Sequence, residues 1–105
     1  MKAIENLIGK KVIIRSYGAG VFFGTLNDAE PYGDKFIVEL LNSRRLWHWN
    51  GACSISQIAT DGTKDPENCL FTKIVDQQVI SSVLEIIPAS EKAIKVIEKV
   101  KIWKK

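Results

Sequence analysis

Four short runs rich in β-branched and aromatic residues follow one another in the first half of the chain, separated by glycine, asparagine and proline, and this rhythm commits that half to an antiparallel sheet. The runs are residues 11–15, 21–26, 35–41 and 44–49. Gly18-Ala19-Gly20 breaks the first pair, turn formers from Asn27 to Asp34 break the second, and Asn42-Ser43 breaks the third. The spacing predicts a four-stranded meander. A chain of 105 residues is expected to form a single domain over 1–105. At that size roughly 60–70% of the surface of the unfolded chain is buried, enough for a core without a disulfide or metal framework.

The second half changes period. Ala52, Ile55 and Ala59 repeat at helical spacing and predict a short helix that ends before Gly62. Residues 61–68, with Gly62, Pro66 and several polar side chains, read as a surface loop. Residues 69–75 and 79–87 add one or two strands, stopped by Pro88. Ser90 is a natural N-cap for a helix over 91–100, with Ala93, Ile97 and Val100 on one stripe and Glu91 placed to pair with Lys95. The expected fold is α+β: a small antiparallel sheet or partly open barrel with a short central helix and a C-terminal helix.

Charge and cysteine usage narrow the partners. Residues 92–105 carry six lysines against Glu98 alone, whereas residues 1–91 carry nine basic and eleven acidic groups. A protein that grips a long phosphate backbone spreads positive charge along a groove, so no long nucleic acid is expected. No apolar run approaches the ~20 residues of a membrane span, and the first residues lack the apolar stretch of a signal peptide. Cys53 and Cys69 form no C-x-x-C pair. The expectation is a soluble, cytoplasmic protein with free thiols and no membrane partner.

Most reactive chemistry lacks the residues for it. His48 and Cys53 form no complete nucleophile, base and orienter set, and His48, Cys53 and Cys69 lack the paired spacing of a zinc site. Gly18-Ala19-Gly20 needs no explanation beyond a β-turn. The expectation is a protein that is not an enzyme and has no cofactor. One dense cluster remains, running from Arg44 to Ser54. Alternation along its strand puts Arg45, Trp47 and Trp49 on one face and Arg44, Leu46 and His48 on the other. Aromatic faces stack on bases, arginine forks hold phosphates, and Asn50 or Ser54 can bond ribose hydroxyls. On chemistry alone this nucleotide reading and a buried tryptophan pair with solvent-seeking arginines stand level.

The sequence resembles the phage Thoeris anti-defence sponge family. The resemblance rests on Ile8 to Arg15, Gly18-Ala19-Gly20-Val21 with Gly24, the core from Arg44 to Ala52, Glu85-Ile86-Ile87-Pro88 and Trp103, and it covers nearly the whole chain. His48 stands where the family has tyrosine between the two tryptophans. The resemblance implies a sponge in the host bacterial cytoplasm that holds glycocyclic ADP-ribose signals without cleaving them. Some family members also bind cyclic oligonucleotides at a separate site. It further implies pockets formed between subunits of a homodimer or higher oligomer. The residues expected to bind ligand are Arg44, Arg45, Trp47, Asn50 and Ser54, with Phe71 as a second stacking ring and Lys95 and Lys99 reaching phosphates across the interface. Both arginines are expected at the surface, so that alanine at either leaves the melting temperature within a few degrees. Two other classes fit less of the sequence: a small β-barrel binding RNA or DNA, and an enzyme degrading the same nucleotide through His48 or Glu39.

Overall fold

The strand-forming runs pair in sequence, then close on themselves. In a computed structural model covering residues 1–105, five strands form: β1 (Lys11–Ser16), β2 (Gly20–Tyr32), β3 (Lys35–His48), β4 (Leu70–Phe71) and β5 (Val75–Pro88). Three helices accompany them, α1 (Lys2–Glu5), α2 (Ile55–Asp61) and α3 (Glu91–Lys99), with a 3₁₀ turn at Pro66–Asn68. Every strand pairing is antiparallel. β1 pairs with β2 and β5, and β3 pairs with β2 and β5, so four strands make a ring, while β4 extends the far end of β3. The expected α+β fold is present. No helix is long and apolar enough to cross a membrane.

The ring explains why β1 reads as an unbroken apolar run: it is buried on both faces. Val12 and Ile14 point into the ring with Phe22 and Leu26, whereas Ile13 and Phe23 point outward, beneath α2 and α3. Ile58, Ala59, Ala93 and Ile97 complete that outer core. Serine caps fix both helix starts, Ser90 as the sequence suggested and Ser54 as a cap it did not. The Ser54 hydroxyl accepts from the Gln57 N–H at 3.2 Å, and the Ser90 hydroxyl accepts from the Ala93 N–H at 3.0 Å. Ser90 also donates to the Thr60 carbonyl at 2.6 Å, tying the end of α2 to the start of α3.

Three expectations are corrected. The break predicted at Asn42-Ser43 is a bulge inside one continuous strand: Asn42 adopts φ 50°, and the pairing shifts by one residue between Thr25↔Leu41 and Phe23↔Arg44. Opposite it, Gly24 leaves no room for a side chain, since an added Cβ would lie 2.9 Å from the Ser43 Cβ. The one or two strands expected over 69–75 and 79–87 are two, but with other bounds: the first shrinks to β4, and the second, β5, starts already at Val75 and bends at Ser82 with φ 55°. The loop over 61–68 is not wholly at the surface. Thr63 is buried, donates to the Asn50 carbonyl and accepts from the Asp65 N–H at 3.0 Å. Gly51 sits against this loop, and a Cβ there would come within 2.5 Å of the Asp65 nitrogen.

Candidate functional site

The bulge at Asn42 decides what the two arginines do. Before it, Val38 and Leu40 face the ring interior; after it, Arg45 lies on the interior side and Arg44 and Leu46 turn out toward the helices. The two side chains therefore have different surroundings. Arg44 is only 3% exposed. Its Nε donates to the Thr72 carbonyl at 3.1 Å; one terminal nitrogen donates to Ile97 and Val100 at 3.0 and 2.9 Å, and the other to Phe71 and Lys101 at 3.2 and 3.3 Å. All five donors are committed to main-chain carbonyls. The charge sits at the C-terminal end of α3, where the helix dipole favours a cation, and over the Phe71 ring at 5.5 Å. Burial lowers its pKa below the ordinary value, without a carboxylate to offset it. Expected at the surface as a ligand residue, Arg44 is instead a buried clamp joining β3, β4 and the end of α3.

Arg45 is half-buried and has donors to spare. Its guanidinium lies 4.6 Å from the Phe22 ring centroid, at the mouth of the ring interior, and its buried Nε has no hydrogen-bond partner. A buried donor left unpaired is costly, and no acceptor of the protein offsets it here. Beside it Trp47 is 64% exposed. The two side chains share a shallow groove of about 350 Å³ with Gly18, Ala19, Gly20 and Trp49. Gly18, Ala19 and Gly20 thus bring backbone with no large side chain of its own to the groove that Arg45 and the two indoles line, with the exposed Tyr17 just before them in the turn.

Trp103 reaches Trp47 from the other end of the chain, beside the groove rather than in its lining. Its ring stacks on Trp47 with centroids 6.3 Å apart and planes inclined by 17°. Trp103 lies outside the cluster from Arg44 to Ser54 and is not among the residues expected to bind ligand; its one signal in the sequence is its place among the residues that carry the family resemblance. Trp49 departs from the expected alternation: the pairing slips between Leu46 and His48, and Trp49 packs partly on the outer core while His48 is exposed.

The other expected ligand residues separate. Phe71 is fully buried in the outer core, which leaves no ring face for a ligand and corrects its assignment as a stacking ring. Ser54 is engaged as the α2 cap. Asn50 is exposed just past β3, and its carbonyl receives the Thr63 hydroxyl. Lys95 and Lys99 are exposed on α3, and neither lines the Trp47 groove. Lys99 borders a different depression with Glu67 and Lys101. Glu39 accepts from the Asn27 and Gln77 side-chain amides, which hold its pKa below the usual carboxylate value. Asp34 is lowered likewise by its bond to Lys35. No three His, Cys, Asp or Glu side chains are grouped to hold a metal.

What the arrangement can do is bind. An exposed aromatic wall, an arginine with an unused donor and a bare glycine turn suit a planar, anionic ligand. No curated protein and no solved structure matches the chain. Residues 9–97 match the family described as a domain of unknown function, DUF6948, and the chain belongs to that family.

Proposed function

We propose that the protein binds a glycocyclic ADP-ribose signalling nucleotide and holds it uncleaved, acting as a phage anti-defence sponge against Thoeris immunity in the bacterial cytoplasm. The observation that carries the reading is the pairing of Trp47, 64% exposed, with Arg45, whose Nε is buried and unpartnered, across one groove. Indole faces take a base, and the planar guanidinium fork takes a pyrophosphate in two parallel bonds. The resemblance over nearly the whole chain supplies the ligand class. The groove is open on one side, which favours completion by a second copy of the chain, as the resemblance implies. A homodimer or higher oligomer also covers the exposed Trp47 and Ile102. A further site for cyclic oligonucleotides is part of the same reading.

The experiment is recovery of the ligand. Protein is loaded with a glycocyclic ADP-ribose, freed of excess nucleotide, and denatured by heat. A sponge releases the nucleotide unchanged in amounts matching the protein. Linear ADP-ribose in the supernatant would move the protein into the enzyme class instead.

A further inference from the structure

The stack of Trp47 and Trp103 is not demanded by either core. Trp47 is largely exposed, and Ile102, next to Trp103, is 45% exposed. Yet the segment that carries Trp103 is fixed at several points. Arg44 donates to the carbonyls of Val100 and Lys101 at 2.9 and 3.3 Å. Ile102 forms a parallel bridge with Phe71, and the Trp103 N–H donates to the Phe71 carbonyl at 2.8 Å. A buried cation with five committed donors thus holds a strap that lays one indole against another at the surface. Lys104 and Lys105 follow that indole directly in the chain and are exposed. Solvated ammonium groups around a flat aromatic surface complement a phosphorylated planar base better than an apolar protein face.

We infer that Trp103 is a base-stacking residue of the nucleotide site, forming with Trp47 a two-indole platform for a purine ring, and that Arg44 is the positioning residue that holds the platform through the strap of residues 100–103. The inference rests on the proposed function and deepens it: the platform takes the base, leaving the pyrophosphate to Arg45. Arg44 touches no ligand. Its effect on binding passes through Trp103.

The test titrates the parent, Trp103→Phe, Trp103→Ala, Arg44→Lys and the Trp103→Ala/Arg44→Lys double variant with cyclic ADP-ribose, AMP and ribose 5-phosphate. Tryptophan fluorescence reports binding, and the far-ultraviolet exciton couplet of paired indoles reports the platform. Cyclic ADP-ribose and AMP should quench the parent, and ribose 5-phosphate, which lacks a base, should not. Trp103→Ala should weaken cyclic ADP-ribose binding about five- to a hundredfold, while Trp103→Phe keeps most of it. Arg44→Lys should lose the couplet and weaken binding, and should add nothing to Trp103→Ala in the double variant. Parent-like binding by Trp103→Ala, or additive losses in the double variant, overturns the inference. Should Arg44→Lys fail to fold, the two Trp103 variants and the couplet still decide it. A parent that ignores cyclic ADP-ribose but is quenched by AMP through Trp103 sinks the proposed function and keeps the platform. A parent quenched by no purine nucleotide overturns the platform, and quenching by protein concentration alone would identify a second copy as its occupant.

Discussion

Two adjacent arginines of identical chemistry take opposite tasks because a single bulge sets which face each occupies. Arg44 satisfies five carbonyls inside the protein, so its removal leaves buried acceptors unpaired near the end of α3. Arg44→Ala should cost about 2–4 kcal/mol, from buried carbonyls left unpaired and the space vacated beneath them, and lower the melting temperature by about 10 °C or more. Arg45→Ala removes a half-buried side chain whose Nε bonds nothing, so its melting temperature should stay within a few degrees of the parent. Its nucleotide binding should fall about tenfold to a hundredfold, and Arg45→Lys should not restore it fully, because a point charge cannot replace a fork. Thermal melts and calorimetry on the two alanine variants check both halves. Alternation put the pair on opposite faces but could not tell which face was buried, because the carbonyls that receive Arg44 are far along the chain: Phe71 and Thr72 in and just after β4, and Ile97, Val100 and Lys101 at the end of α3 and beyond, the last three more than fifty positions away.

At the level of elements, what was legible depended on how local the determinant is. Ser90 and Ser54 cap helices through bonds spanning three residues, and both helix starts could be read from the sequence to within a few positions. The continuity of β3 through Asn42-Ser43 could not, because a turn and a bulge use the same residue types and differ only in what pairs alongside. The clasp of Thr63 on Asn50 was hidden for a related reason: a polar loop residue reads as exposed until its partner is known. The bulge itself yields a sharp expectation. Asn42 is exposed and holds φ 50°, a conformation asparagine and glycine tolerate and β-branched residues resist. Asn42→Gly should be near neutral, within about 1 kcal/mol, whereas Asn42→Val should destabilise by about 1–2 kcal/mol. Denaturant unfolding of the two variants measures the difference; equal stabilities would mean that the bulge does not fix the strand.

The whole molecule adds closure and polarity, neither of which a window along the chain can show. The ring closes through β1 and β5, which pair Arg15 with Glu85 and carry the ion pair between them at 2.7 Å. Asp28, Glu30, Asp34 and Asp76 are exposed on the part of the sheet formed by β2, β3 and β5, while the six lysines of residues 92–105 lie on α3 and the strap. The four ion pairs, Lys11–Glu98, Arg15–Glu85, Lys35–Asp34 and Lys92–Asp61, interleave acids with bases, and the proposed ligand is small. Binding of cyclic ADP-ribose, with two phosphates, should accordingly weaken only shallowly as salt rises, with a logarithmic slope of about two or less; a steep slope and affinity that grows with oligonucleotide length would favour the nucleic-acid reading.

In the proposed function a second copy of the chain completes a nucleotide pocket begun by Trp47 and Arg45, and the ligand stays whole inside it. Native mass spectrometry of the full chain with cyclic ADP-ribose isomers added tests it directly. The expected spectrum shows a dimer or higher oligomer carrying intact nucleotide, one per shared pocket, with the nucleotide lost from Arg45→Ala but the assembly retained. A monomer that stays free of nucleotide at every isomer and concentration would contradict it.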